Sequence, residues 1–243
     1  MQDAERDADL MRSLDLLWSA DERPAPGPRP GLSVAKIVRT AIGVADSEGL
    51  TKLSMQRVAG ELGYTAMSLY RHVPGKSQLV AVMADVASGP PPELSDTDAW
   101  RQRVEAWVDG LWEVYRRHPW LVEVQLKSPP VGPNGLAWIE ALLRAVRGTG
   151  LGHDEVLGLA MFMFSAVRDL ARLADDLVPM GLGYPQILEK IVDGDRFPML
   201  AELATAMPAA ADGSDGDGEV RPVVGFGIRL LLDGVESYVR DKG

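Results

Sequence analysis

The sequence contains no cysteine, only three histidines and no long uninterrupted apolar segment. Without cysteine the chain forms no disulfide, has no thiolate nucleophile and offers no cysteine ligands for zinc. The sequence contains no run of eighteen apolar residues, so no transmembrane helix is predicted. Acidic residues occupy the N-terminal positions where a signal peptide carries basic ones. We therefore expect a cytosolic protein.

Patterns that carry enzymatic chemistry are also missing. The sequence has no GxSxG, no HExxH and no P-loop, and its histidines, at 72, 118 and 153, are scattered. The segment GTGLG (148–152) follows a predicted helix rather than a strand, which argues against a dinucleotide site. The acidic segment DGSDGDGE (212–219) lacks the ligand spacing of an EF-hand. We expect no enzyme, no cofactor and no metal site.

Charge is distributed unevenly along the chain. The 243 residues carry a formal net charge of -10, and 46% of them are apolar, which is ample for a hydrophobic core. Residues 31–90 nevertheless hold six Lys and Arg against four Asp and Glu, whereas the segments before and after them are acidic. A basic segment in an acidic chain indicates a surface for a polyanion, with ordinary fluctuation in charge as the alternative.

Apolar residues recur with helical spacing through most of the chain and nowhere alternate as in a strand, which predicts an all-α protein. Residues 1–30 read as an appended arm, with a short helix over 3–19 and a linker rich in proline from residue 22. The arm is either a mobile tail or makes a phosphate or minor-groove contact through Arg23 and Arg29.

Four helices are predicted within residues 31–90. The second and third are short and are separated by a tight turn at Gly63, the arrangement of a helix-turn-helix whose second helix enters the major groove of DNA. The alternative is a structural hairpin that touches no nucleic acid. The predicted N-caps are Ser33, Ser54 and Thr65, and the predicted stops are Gly49, Gly63 and the pair Pro74-Gly75.

The third helix, AMSLYRHV, has an apolar and a polar side. Leu69 and Val73 point toward the core, and the other positions are left for DNA. Met67 and Ser68 suit base edges, whereas a hydroxyl, an imidazole and an ammonium group further along suit phosphates. The predicted contacts in this stretch are Thr65, Ala66, Met67, Ser68, Tyr70, Arg71, His72 and Lys76.

Residues 91–243 are predicted to form a larger helical domain. The segment 153–178 is apolar nearly all round, and a final helix spans 222–241, so one chain supplies too little surface to bury both. Two copies of each helix are expected to form a four-helix dimer interface. The predicted interface residues are Phe162, Ser165, Asp169, Phe226, Arg229, Leu230 and Asp233.

Tryptophan and methionine are frequent in this part of the chain, and two interpretations remain open. The side chains either form an ordinary core or line an adaptable cavity for a small hydrophobic or aromatic effector. Arg168 either orients that effector or pairs with Asp169 or Asp175. The candidate ligand residues are Met83, Trp107, Leu111, Trp112, His118, Trp138, Met161, Phe164 and Arg168.

The residues that carry these predictions also resemble a known family. The order S-x-x-x-V-A-x-x-L-G, S-L-Y-x-H-V and K-x-x-L within 31–90 resembles the DNA-binding domain of TetR/AcrR regulators. Weaker similarity to the regulatory domain of the tetracycline repressor runs through RRHPW (116–120), FSAV (164–167), FPML (197–200) and FGIRLLLDGVE (226–236). The resemblance implies an all-helical homodimer, most simply a repressor, that binds a palindromic operator and is released by a small molecule.

The resemblance also assigns individual positions. Ser68, Tyr70, His72 and Lys76 match DNA-contacting residues of the family. Met55 and Gln56 fall at DNA-contacting positions where the tetracycline repressor has threonine and arginine, which implies a different operator. His118 coincides with a histidine that binds drug-chelated magnesium there, or simply begins a helix. A helical small-molecule binding protein without regulatory DNA binding is the alternative from another class.

Overall fold

The computed structural model describes residues 15–18, 31–124, 131–177, 184–206 and 216–242. Within these ranges the chain forms helices and turns and no strand, which confirms the all-α prediction. Residues 15–18 form one helical turn, and the rest of the predicted arm, with Arg23 and Arg29, lies outside the described residues. The chain divides into two compact units, residues 1–147 and 148–243. The functional boundary expected near residue 90 stays a prediction.

Unit 1 is built from six helices within the described residues. Two short 3-10 segments, Leu50–Lys52 and Pro119–Glu123, complete it. The helices are α1 (Val34–Glu48), α2 (Met55–Leu62), α3 (Ala66–Tyr70), α4 (Lys76–Ser88), α5 (Trp100–Arg117) and α6 (Pro133–Ala145).

The predicted helix caps are confirmed. Ser33, Ser54 and Thr65 each accept a hydrogen bond from the backbone amide three residues ahead, which satisfies a donor that the first turn leaves without a partner. Helix α3 is shorter than predicted and ends at Tyr70, because the next residues form a turn in which the His72 amide donates to the Leu69 carbonyl.

The core of unit 1 is formed by apolar residues of α1 to α6 and of the 3-10 segments. It includes four buried tryptophans, Trp107, Trp112, Trp120 and Trp138. Buried side chains recur three and four residues apart along α1 and α5, as the sequence pattern predicts. The largest fully buried side chains here are Ile37, Val38, Leu53, Val58, Leu69, Val73, Leu79, Met83, Trp107 and Leu142.

Unit 2 contains α7 (His153–Leu177), α8 (Tyr184–Ile191), α9 (Pro198–Ala206) and α10 (Gly216–Lys242). Helices α7 and α10 pack against each other, as do α8 and α9. Helix α10 starts before the predicted residue 222, so Pro222 lies within the helix and does not mark its beginning.

Among the described helices, none combines the length and the apolar content that crossing a bilayer requires.

Candidate nucleic-acid interface

Gly63 forms the turn between α2 and α3. Its backbone is left-handed, with φ +74° and ψ 27°, a conformation that favours glycine. The Gly63 amide donates to the Gly60 carbonyl, and the Tyr64 amide donates to the Ala59 carbonyl at 2.9 Å. This pair of bonds is the Schellman ending of a helix. It stops α2 sharply and starts α3 after a turn of three residues.

Helix α3 has one buried and one exposed face. Leu69 of α3 and Val73 of the turn that follows have no exposed surface, which fixes the helix on the core of unit 1. Met67 and Tyr70 are 73% and 47% exposed on the opposite side. Because one face is buried and the other exposed, α3 presents its first turn and the Tyr70 hydroxyl to solvent or to a bound partner.

Two hydroxyl groups meet at the start of this helix. The Oγ1 atom of Thr65 accepts from the Ser68 amide at 3.3 Å, and it also lies 3.0 Å from the Ser68 Oγ atom. Ser68 is half-buried, whereas Thr65 is exposed. The Ser68 side chain therefore has a partner before any ligand approaches.

The other predicted DNA contacts divide by exposure. Gln56, Arg71 and Lys76 are exposed, and Ala66 and His72 are half-buried. Met55 is only 5% exposed and belongs to the core, because the first turn of α2 directs this position inward. This burial does not favour a DNA contact at Met55, and the contact stays a prediction.

Arg57 is a residue of this region that the sequence did not single out. Its guanidinium group donates to Glu48 of α1 at 2.7 Å and to Glu61 of α2 at 2.7 Å. The pair with Arg57 lowers the pKa of Glu48 below its ordinary value, and the two carboxylates raise the pKa of Arg57. This cation joins α1 to α2 and is neutralised by protein groups. The basic character of the surface therefore depends on its other cations.

Asp46 joins α1 to the segment that follows α5. Its Oδ1 atom lies 2.7 Å from the Nδ1 atom of His118 and accepts from the Trp120 indole at 2.7 Å. The His118 side chain is 13% exposed. One ring nitrogen of the predicted ligand residue is thus engaged by a carboxylate. Among the described residues, no group of three His, Asp or Glu lies close enough together to hold a metal ion.

Asp85 connects α4 to the start of α6. Its carboxylate accepts from the Gly135 amide at 2.8 Å and from the amide and side chain of Asn134 at 3.3 and 3.2 Å. The carboxylate thereby caps α6 from another helix. Gly132 packs against it so closely that a Cβ atom at this position would collide with the Asp85 carboxylate.

The tryptophans proposed to contact an effector are engaged with the protein. The rings of Trp107 and Trp138 meet edge to face, with centroids 5.7 Å apart. The Trp107 indole donates to the Trp138 carbonyl, and the Trp138 indole donates to the Gly89 carbonyl, both at 2.9 Å. Met83, Leu111 and Trp112 are also buried. These interactions match the core interpretation, and binding of an effector there stays a prediction.

The remaining ligand candidates lie on α7. Phe164 and Arg168 are half-buried. Met161 is 65% exposed and lies beside the exposed Phe162, on the outer side of the helix. The helical turn thus directs Met161 outward, and a contact of this residue with an effector stays a prediction.

The predicted dimer residues share one property: all seven are exposed. Helix α7 contributes Phe162, Ser165 and Asp169, which lie three and four residues apart and so share one face. Helix α10 contributes Phe226, Arg229, Leu230 and Asp233 at the same spacing. Phe162, Phe226 and Leu230 are each more than half exposed. An exposed row of large apolar side chains on two packed helices is typical of a protein interface.

The comparisons with known proteins agree with this architecture. The family model of the tetracyclin repressor-like C-terminal domain matches residues 91–239. The HTH-type transcriptional repressor DrrR1 of Streptomyces coeruleorubidus is 35% identical over 96% of this chain and 88% of its own length. An HTH-type transcriptional regulator of Saccharopolyspora erythraea is 32% identical over 53% of this chain and 55% of its own.

Solved structures give the same result. The ActR protein of Streptomyces coelicolor in complex with actinorhodin is 26% identical, with a TM-score of 0.71 over 86% of this chain and 99% of ActR. Apo ActR is 25% identical, with a TM-score of 0.69 over 86% of this chain and 98% of its own. With a family model that matches most of the chain and a relative of nearly full length, this chain belongs to the tetracycline-repressor (TetR) family of transcriptional regulators, which are not enzymes.

Proposed function

We propose that the protein is a repressor that binds a palindromic operator as a homodimer and leaves it when a small hydrophobic or aromatic effector binds. The observation that carries this proposal is the exposed face of α3. Its first turn presents Met67 and Ser68, and Tyr70 and Lys76 lie exposed where phosphates would pass. As a regulator of genes, the protein would act in the cytoplasm.

The dimer proposal is supported by the exposed apolar rows of α7 and α10. A second copy would remove Phe162, Phe226 and Leu230 from water, and burial of each such side chain contributes about 1.5–3 kcal/mol. A two-fold dimer presents two α3 helices to half-sites roughly 34 Å apart. Two copies would also double the number of cations that face one operator.

The effector proposal is supported by the ActR complexes. ActR is described in complex with actinorhodin and with (S)-DNPA, and this chain resembles it over most of its length. An effector that binds the released conformation more tightly shifts the equilibrium by that difference in affinity. Actinorhodin is accordingly the first probe, with further aromatic compounds after it.

The test is footprinting of the DNA that flanks the gene, at low salt and with excess non-specific competitor. We expect protection of a two-fold symmetric site, weakened by Tyr70→Ala. Thr205→Ala, an exposed change on α9, is the control and should leave the footprint intact. Absence of any sequence-specific protection would contradict the regulatory proposal and favour a small-molecule binding protein.

A further inference from the structure

The Thr65 hydroxyl does more than cap α3. At Ser33 and Ser54 the capping oxygen accepts from the backbone amide three residues ahead, and that residue is Lys36 or Arg57. At Thr65 the corresponding residue is Ser68, and the two side-chain oxygens lie 3.0 Å apart. Of these three hydroxyl caps in the described residues, this one faces a second hydroxyl.

The hydrogen bond restricts how Ser68 is oriented. A serine side chain has three staggered rotamers, and its hydroxyl group can donate or accept. The bond with Thr65 favours one rotamer in the free protein, so less rotational freedom is lost when a ligand binds. Ser68 lies in the first turn of α3 beside the exposed Met67, where a recognition helix approaches base edges.

We propose that Thr65 is a positioning residue: it orients the Ser68 hydroxyl for a base edge and so sets base preference without itself contacting the base. This inference rests on the proposed function, in which α3 reads DNA. It assigns to Thr65 an action through Ser68 in place of the direct DNA contact expected from the sequence.

The donors and acceptors of the two hydroxyl groups explain why the preference for a base depends on Thr65. Thr65 Oγ1 already accepts from the Ser68 amide. With Thr65 as the donor to Ser68 Oγ, the Ser68 proton remains available for an acceptor on the base. With Ser68 as the donor, only lone pairs remain for DNA. Without the hydrogen bond to Thr65, the Ser68 hydroxyl group rotates freely and can bond donors and acceptors on the bases equally well. Discrimination between bases therefore falls.

The experiment begins with wild-type protein and a pool of randomised duplex DNA. The selected operator is then changed one base pair at a time, and Kd is measured for each variant DNA with Thr65→Gly, Ser68→Ala, the double variant and Thr65→Ser. Glycine is chosen because it is almost as good an N-cap as threonine, so α3 keeps its stability. Ser54→Gly is the matched control, since it removes a cap whose bonded amide belongs to Arg57 rather than to a serine.

We expect Thr65→Gly to reduce discrimination about 3- to 10-fold, the value of one net hydrogen bond, at the same base pair as Ser68→Ala. The double variant should match Ser68→Ala, and Thr65→Ser should retain wild-type preference. Ser54→Gly should change Kd equally for every DNA. Agreement of the double variant with the single one is the sign that both residues act as a unit.

Several outcomes would overturn the inference. A uniform loss of affinity with Thr65→Gly would reduce Thr65 to a cap, and additive losses in the double variant would show a direct contact of its own. Unchanged preference with Ser68→Ala would also reject it. Failure of the wild-type protein to select any sequence would instead reject the proposed function, so the two failures are distinguishable.

Discussion

Unit 1 and unit 2 are stabilised in different ways. In unit 1, polar side chains bridge separate helices: Asp46 of α1 reaches the turn after α5, Arg57 joins α1 to α2, and Asp85 of α4 caps α6. Each bridge depends on the position of more than one backbone segment. The helix arrangement of unit 1 is therefore fixed within a single chain.

In unit 2, apolar packing joins the two long helices α7 and α10. Met163 and Val167 of α7 and Leu232 of α10 are fully buried, while the outer faces of both helices expose large apolar residues. Among the described residues of this unit, a polar cluster joins Glu155 to Tyr238 and Lys242 at the ends of the two helices. The exposed apolar surface that a second copy could cover therefore lies in unit 2.

Substitution on this exposed apolar surface should have the largest effect, a loss of dimerisation. Phe226→Glu places a charge on the exposed apolar row of α10, and burial of an unpaired charge in a dimer interface is strongly unfavourable. We expect at least about 100-fold weaker dimerisation, consistent with losses at interface hot spots. Sedimentation equilibrium at micromolar concentration measures it, and operator binding should be lost in parallel.

Ile191→Glu is the matched control, because Ile191 on α8 is exposed but lies outside the row. This variant should remain dimeric. A dimeric Phe226→Glu protein with wild-type operator affinity would show that the copies associate through another surface.

The bridges of unit 1 can be tested at a glycine. In Gly132→Ala, the added Cβ atom collides with the Asp85 carboxylate that caps α6. We expect a loss of about 1–3 kcal/mol in the free energy of unfolding, the usual cost of overpacking. Urea denaturation measures it. Gly43→Ala, in α1 with open space around the new atom, should instead be neutral or stabilising by up to about 1 kcal/mol. Equal effects at both glycines would contradict the close packing of Gly132 against Asp85.

A more modest change is expected at the exposed basic surface of unit 1. Lys76→Ala removes an exposed ammonium group at the start of α4. We expect operator affinity to fall on every sequence alike and the slope of log K against log salt to decrease by about 1 for each phosphate that is no longer neutralised. The exposed Lys190 of unit 2 provides the control, since Lys190→Ala should leave the slope unchanged. A reduction confined to one operator sequence would instead indicate that Lys76 binds a base.

The polar cluster of unit 2 should contribute least. Hydrogen bonds from Lys242, Tyr238 and the Gly152 amide lower the pKa of Glu155 to about 2. The unfolded value is about 4.3, so the contribution to stability is fully present above that pH and is lost as pH falls toward 2. Glu155→Gln should reduce this acid sensitivity of the urea midpoint. The effect should be small, because the groups are solvent-exposed.

Glu140→Gln, an exposed change on α6, is the corresponding control and should keep the wild-type dependence on pH. Identical pH profiles for Glu155→Gln and the wild-type protein would show that the cluster contributes nothing in solution.

Local signals made much of the DNA-binding region predictable. The caps at Ser33, Ser54 and Thr65 and the left-handed turn at Gly63 follow from interactions within a few residues, and the sequence displays them directly. The burial of Leu69 follows from helical spacing in the same way. Short-range physics is thus sufficient to place α2 and α3.

The bridges between helices were not predictable. Partners such as Asp85 and Gly135 are far apart in sequence, and no spacing rule links them. Met55 was assigned to DNA from its position in the family, but the first turn of α2 directs it inward. The early start of α10 was not predicted because glycine and proline usually signal a break in a helix.

The close approach of Gly132 to Asp85 has a consequence for sequence evolution. A larger residue at position 132 is compatible with this fold only when the carboxylate at 85 shortens or moves, because both groups occupy the same space. The two positions should therefore change together among relatives. A larger residue at position 132 that leaves Asp85 unchanged should be rare.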